Sequence, residues 1–264
     1  MLLASVRKYW VLASKGFAQN LQYSASHLIN TVASAIFGVI YIYLWRSVTP
    51  PEGFDQYTPF LITSYIAVNQ VFMWFTQFGL RVHSKIRDAI RSGNIATELA
   101  RPMDFFSYRV ASEYGSMVYT FIFRGLPVGL MLSGFGIYLP QRGVTWMWTL
   151  VSLLFGAYIA VVEGYIVGVM AFWTTETRTM WWFVSTLNLT LGGGSMPLEV
   201  LPGWAFTIAR WSPFACLTYN PARIYLELTG PWLIWPAAFW SVVLTIAARS
   251  LTRVARRKLE VQGG

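Results

Sequence analysis

The sequence predicts an all-α membrane protein: six transmembrane helices, an interfacial amphipathic helix before the first span and an external re-entrant helical hairpin before the last. Three observations carry this prediction. Charged residues are only 12% of 264 residues, while hydrophobic residues are 55%; a soluble domain carries about 25% charge. Apolar segments that approach or exceed the ~20 residues needed to cross a bilayer recur along the chain. Aromatic residues reach 17%, with 13 tryptophans, the amphipathic rings that collect at lipid–water boundaries.

The elements follow in order. Residues 1–23 read as an amphipathic helix, with Leu3, Val6, Trp10, Phe17 and Leu21 recurring on one side and Arg7, Lys8 and Lys15 among the polar positions. A basic helix with an aromatic face lies in the membrane interface or extends the first span into the cytoplasm. It lacks the apolar core and small-residue cleavage site of a secretory signal. Spans are expected at 28–45 and 57–79, separated by a loop in which Pro50, Pro51 and Gly53 break helix. A polar cytoplasmic segment, 80–106, precedes spans at 108–137 and 145–173; the first turns of the former, Tyr108 to Ser116, are polar enough to lie in the interface. A fifth span covers 180–191. Beyond it Gly192, Gly193, Gly194, Pro197, Pro202, Gly203 and Pro213 forbid one straight helix. The segment 192–228 is therefore a hairpin or a pair of short helices. The last span, 231–248, continues as a basic tail, 249–264.

The net charge is +9, which in a soluble chain would suggest nucleic acid. Its distribution argues otherwise. With the N-terminus inside, Arg7, Lys8, Lys15, Arg81, Lys85, Arg87, Arg91, Arg101, Arg109, Arg178, Arg249, Arg253, Arg256, Arg257 and Lys258 all fall on the inner side. Arg46, Arg142, Arg210 and Arg223 fall outside, and Arg124 within a span. The excess of basic residues on one side orients both termini to the cytoplasm, consistent with an even number of spans. The partner of such loops is membrane lipid, not nucleic acid.

Catalytic and metal chemistry is not visible. No GxxxxGK[ST] loop, HExxH pair or GxSxG elbow occurs, and the Gly192 triplet has no following lysine. Cys216 is the only cysteine, so no internal disulfide can form. His27 and His83 are far apart in sequence and do not form a paired metal-ligand motif. Within the spans, Arg124 lies about 13 Å and Glu163 about 15 Å from the same inner face, at 1.5 Å per residue. Similar depth on consecutive helices predicts an ion pair, or else contact of one of them with substrate or a proton. Gly156, Ala160, Gly164 and Gly168 form a ridge of small residues on which another helix can pack closely; Gly125 and Gly129 do so more weakly. The ridge serves packing within one subunit or a dimer seam.

Three segments carry a resemblance. Ile86 to Phe106, IRDAIRSGNIATELARPMDFF, resembles the loop after the second span of ABC-2 type exporter permeases. Gly192 to Trp204, GGGSMPLEVLPGW, resembles the external re-entrant segment of that family, and Ser212 to Tyr225, SPFACLTYNPARIY, its following amphipathic helix. The closing Arg256 to Gly264 is similar to the tail of one bacterial subgroup. The resemblance implies a permease in the bacterial inner membrane, paired with a second permease, identical or paralogous, and with two ABC ATPase subunits. It implies a coupling role for Arg87, Ile90, Arg91, Gly93, Asn94, Glu98, Leu99, Arg101 and Pro102, a short amphipathic unit able to seat in a protein groove. It implies an external gate at Gly192, Gly193, Gly194, Pro197, Leu198 and Pro202; non-helical backbone at that depth is tolerated only where protein or a water-filled cavity covers it. Such a chain exports an amphipathic, lipophilic or drug-like substrate and is itself no enzyme. It holds no cofactor, and ATP and magnesium belong to the partner ATPase. Trp74, Phe75 and Phe78 line the path, face lipid or pack as core.

Two other classes remain open on sequence. A secondary transporter or channel would carry more intramembrane carboxylates or an internal repeat. A membrane-embedded enzyme would carry a cluster of catalytic residues at the interface.

Overall fold

The structure, a computed structural model, describes residues 2–21, 24–77, 80–174 and 176–262. The expected ends of the N-terminal helix at residue 23, of the second span at 79 and of the tail at 264 lie outside them, as do the side chains of Leu3, Val6, His27, Phe78 and Lys258. The described residues form helices and turns, with no strand among them.

Helix α1, Leu2–Leu21, crosses α6, Phe105–Thr120, backbone against backbone. A Cβ added at Gly115 would fall 1.8 Å from the Ala13 carbonyl oxygen, and one at Gly16 would fall 2.1 Å from that of Ser112. Only glycine at both positions permits this approach. Phe17 closes the crossing by edge-to-face contact with Tyr119 at 5.3 Å, while Trp10, two turns earlier on the same side, stays 72% exposed.

Helix α2, Ser24–Val48, packs on α3, Pro59–Thr76, which starts at Thr58: its hydroxyl accepts from the Leu61 amide, and Pro59 follows as first helical residue. Helix α3 is the hub. It touches α2, α6, α7 (Leu126–Leu132), α8 (Gly143–Val169) and α11 (Tyr219–Tyr225). Almost every residue from Ile62 to Thr76 is buried, polar Thr63, Ser64, Asn69 and Gln70 included.

The third apolar stretch is one bent rod: α6, a π-helical turn at Phe121–Gly125, α7 and a 3-10 turn at Ser133–Phe135. Pro127 explains the wide turn, because its ring cannot fit against the carbonyl four residues back and it offers no N–H. Short helices α4, Val82–Arg91, and α5, Ile95–Leu99, lie between α3 and α6. Helix α9, Arg178–Thr190, is followed by irregular backbone, α10 (Gly203–Trp211) and a 3-10 turn at Phe214–Cys216. The chain ends in α12, Ile234–Gln262, laid along α8.

Among the described residues, four segments are long and apolar enough to cross a membrane: Ile29–Val48, Phe105–Phe135, Gly143–Phe172 and Pro231–Arg257. The other two expected spans differ for physical reasons. Helix α3 is wrapped by protein, not lipid, so it tolerates buried polar side chains that lower its hydropathy. Helix α9 has 13 residues, about 20 Å at 1.5 Å per residue, short of the ~30 Å hydrocarbon thickness.

Candidate functional site: an exposed elbow clamped to two spans

The turn between α4 and α5 stands clear of the bundle. Arg91, Ser92, Gly93 and Asn94 are exposed, and so are Ala96, Thr97, Ala100, Arg101 and Pro102. Gly93 makes the turn, with φ +74° and open space where a Cβ would be; its amide donates to the Ile90 carbonyl. Beneath it Ile95 is 3% exposed, packed with Val82, Ile86 and Ala89 in a core under the elbow. Arg87, Ile90, Glu98 and Leu99 are half-buried around that core. The nine residues expected to couple thus form one unit, a polar crest on an apolar foot.

Two clamps fix the foot. One is the ridge on α8. A Cβ at Gly164 would meet Val82 Cγ1 at 2.7 Å, and one at Gly168 would meet Ile86 Cβ at 3.0 Å and His83 Cα at 3.1 Å. The same ridge meets the other end of the molecule at Gly156, where a Cβ would fall 2.5 Å from the Cys216 carbonyl; Ala160 between them is fully buried. The four small residues therefore pack within the chain, against α4 below and the Phe214–Cys216 turn above.

The second clamp is electrostatic and was not read from the sequence. Glu113, 1% exposed, accepts from Lys85 Nζ at 2.8 Å and from the Arg81 amide at 2.6 Å. Arg109 pairs with Glu98 and sits over the Phe105 and Tyr108 rings. Arg101 also lies over the Tyr108 ring, at 4.9 Å. Arg109 and Glu113 are four apart, a spacing that suggests a pair along one helix, yet Arg109 reaches across to α5 and Glu113 to the start of α4 instead. The polar first turns of the third stretch are thus a docking face for α4 and α5. His83, on the flank of α4, stacks on Trp181 of α9 at 4.3 Å. Burial, then the nearby Arg87 charge, pushes its imidazole down to about 4.

The expected Arg124–Glu163 ion pair does not form. Arg124, on the π-helical turn, lies over the Trp74 ring of α3 at 4.9 Å. Glu163 Oε2 accepts from Asn188 Nδ2 at 3.0 Å, and its Oε1 has no partner. Helix α3 is packed against both the π-helical turn and α8, and the two side chains turn to different neighbours. Trp74 and Phe75 are core residues, 5% and 7% exposed, and Phe78 lies outside the described residues.

At the opposite end, Gly192, Gly193 and Gly194 are buried, with Pro197 and Leu198 beside them. Their irregular backbone is satisfied by side chains from three elements. The Gly193 carbonyl accepts from Tyr65 Oη at 2.6 Å and Asn69 Nδ2 at 3.1 Å. The Gly192 carbonyl accepts from Thr218 Oγ1 at 2.7 Å, and Trp45 Nε1 donates to the Ser195 carbonyl at 2.9 Å. Gly193 has φ +73°, and a Cβ would fall 2.6 Å from Tyr65 Oη. Pro202, by contrast, is exposed and leads into α10. Above the glycines, Glu199 pairs with Arg223 and accepts from Tyr219 Oη at 2.7 Å, beside a cavity of about 550 Å³ also lined by Arg210 and Trp232. Glu227, at φ +55°, accepts from Tyr138, from Thr145 Oγ1 at 2.7 Å and from the Arg142 amide at 3.2 Å. These bonds hold its carboxyl down at about 2, the Tyr138 hydroxyl first, and tie two loops together. The glycine run is thus a packed plug held by α2, α3 and the segment before α11.

A family model described as an ABC-2 family transporter protein matches residues 27–263. Comparison with curated proteins finds no match.

Proposed function

The chain belongs to the ABC-2 transporter family and is a multi-pass membrane protein; from that premise we propose that it is the permease of an exporter driven by ATPase subunits on separate chains. Its elbow, residues 87–102, is the part that takes the stroke. The carrying observation is the elbow's construction: exposed Arg91, Gly93 and Asn94 at the crest, and a foot clamped on two membrane-crossing segments, α8 through Gly164 and Gly168 and α6 through Glu113 and Arg109. In this reading a push on the crest moves both segments together, through the close α4–α8 contacts and the two ion pairs to α6.

In this reading α3 and α9 complete six spans, α9 with the irregular segment after it, and both termini face the cytoplasm. Helix α1 lies in the interface. The glycine plug closes the outer end of a path that forms between two permeases, and its release from Tyr65 and Asn69 is the opening step. The cargo is amphipathic. ATP and magnesium act on the partner, since the chain has no phosphate-binding loop.

The test is purification of the tagged full chain from the cell that makes it. An ATP-hydrolysing subunit should copurify, and transport in vesicles should require ATP and not an ion gradient. Arg91→Glu should release that subunit while leaving the chain folded. Transport that follows an ion gradient with no ATPase bound would refute the reading.

A further inference from the structure

Helix α12 carries a face that the other described residues leave uncovered. Trp235, Phe239, Val242 and Ile246 are 76%, 60%, 60% and 61% exposed. Their alternating spacing of four and three runs on without a break into Arg249, Arg253 and Arg256, all exposed. Ala237, Ser241, Ala248 and Ala255, on the other side of the helix, are buried. The outward stripe is therefore apolar for four positions and cationic for the next three.

Its dimensions match one lipid leaflet. From Trp235 to Ile246 the rise is about 17 Å, close to half of a ~30 Å hydrocarbon core. At the cationic end the three arginines line a groove of about 450 Å³ with Asp104, Phe106 and Thr252. Arg249 lies over the Phe106 ring at 5.6 Å. The Asp104 carboxylate is engaged in capping α6, accepting from the Ser107 amide and hydroxyl at 3.0 and 2.7 Å. None of the three arginines has an ion pair among the described residues. Three like charges within two turns repel one another, and a planar guanidinium fork fits phosphate oxygens in bidentate fashion.

We propose that this stripe seats one anionic phospholipid, its acyl chain along Trp235 to Ile246 and its phosphate among Arg249, Arg253 and Arg256. The inference needs only that the chain spans a membrane, so it stands apart from export and its direction.

The test is native mass spectrometry of the delipidated full chain, titrated with dioleoyl phosphatidylglycerol, dioleoyl phosphatidylcholine and soluble glycerol phosphate. The first phosphatidylglycerol should bind about tenfold or more tightly than phosphatidylcholine, and glycerol phosphate should not compete. The triple variant Arg249→Gln, Arg253→Gln, Arg256→Gln should bind both lipids equally. A matched triple, Arg7→Gln, Lys8→Gln, Lys15→Gln, should keep the preference. Equal binding by the unaltered chain overturns the proposal without need of any variant. So does an equal loss in the matched triple, competition by glycerol phosphate, or a photocrosslinker at Arg253 that captures an ATPase subunit in place of lipid.

Discussion

Replacing Gly164 by alanine tests whether α4 is truly clamped to α8. The new Cβ would lie 2.7 Å from Val82 Cγ1 and 3.4 Å from Trp181 Cζ3. Carbon atoms in contact rest at about 3.5–4.0 Å, so something must move by about 1 Å. Val82 is fully buried and β-branched, with one favoured rotamer in a helix, so the strain passes to α4 itself. Overpacking of this kind costs about 1–3 kcal/mol. At roughly 2–4 °C per kcal/mol, Tm in detergent should fall by about 2–12 °C. Cys216, the only thiol and buried, reports the transition directly through its reaction with a fluorogenic maleimide. Val82→Ala alone should cost about 2 kcal/mol. In the double variant the new methyl occupies the space Cγ1 left, so the two penalties should fall short of their sum by at least about 1 kcal/mol. Gly156→Ala meets the Cys216 backbone carbonyl at 2.5 Å, and truncation of Val82 should not relieve it. A neutral Gly164→Ala, or strictly additive penalties with Val82→Ala, would refute the clamp.

The electrostatic clamp predicts a coupling of about 1–3 kcal/mol between Lys85→Met and Glu113→Gln in a double-mutant cycle of melting temperatures; additive effects would contradict it. His83 titrates near 6.5 when unfolded and at about 4 in the fold, so between these values the unfolded chain binds more protons. Stability should be full above about pH 6.5 and decline as pH falls toward 4, and His83→Gln should flatten that limb of a Tm series; an unchanged slope would argue against burial of the imidazole. At the plug, Tyr65→Phe and Asn69→Leu each remove a donor to the Gly193 carbonyl and should cost about 1–3 kcal/mol. Gly193→Ala should cost more than either, since it combines a positive φ with a 2.6 Å clash; a tolerated alanine would show that the backbone there is not held as described.

Much of this architecture is legible in residue order. The four strongest apolar stretches read correctly because lipid contact selects for hydrophobicity along their whole length. Helix α3 was legible as a helix by its apolar run at 57–79, but its central position was not, since burial in protein leaves no periodicity to read. The small-residue ridge at 156, 160, 164 and 168 announced close packing. What packs there could not be known, because the partners, Val82, Ile86 and Cys216, lie 60 to 82 residues away in sequence from the ridge positions they touch. Depth alone suggested Arg124 with Glu163, and depth is a poor guide where a third helix stands between. The two ion pairs that hold the elbow were hidden for a related reason. Arg109 and Glu113 satisfy a local rule, and only the fold shows that they serve partners 11 and 28 residues away.

The central claim is that the crest of the elbow meets an ATPase. Asn94→Cys adds one exposed thiol to a chain whose own cysteine is buried. Carrying a photocrosslinker at that position, the full chain in vesicles of native membrane should form an adduct with an ATP-binding subunit, and labelling should succeed only from the cytoplasmic face. Labelling from the outer face alone, or ATP-dependent transport that proceeds while position 94 captures no ATP-binding subunit, would contradict the account.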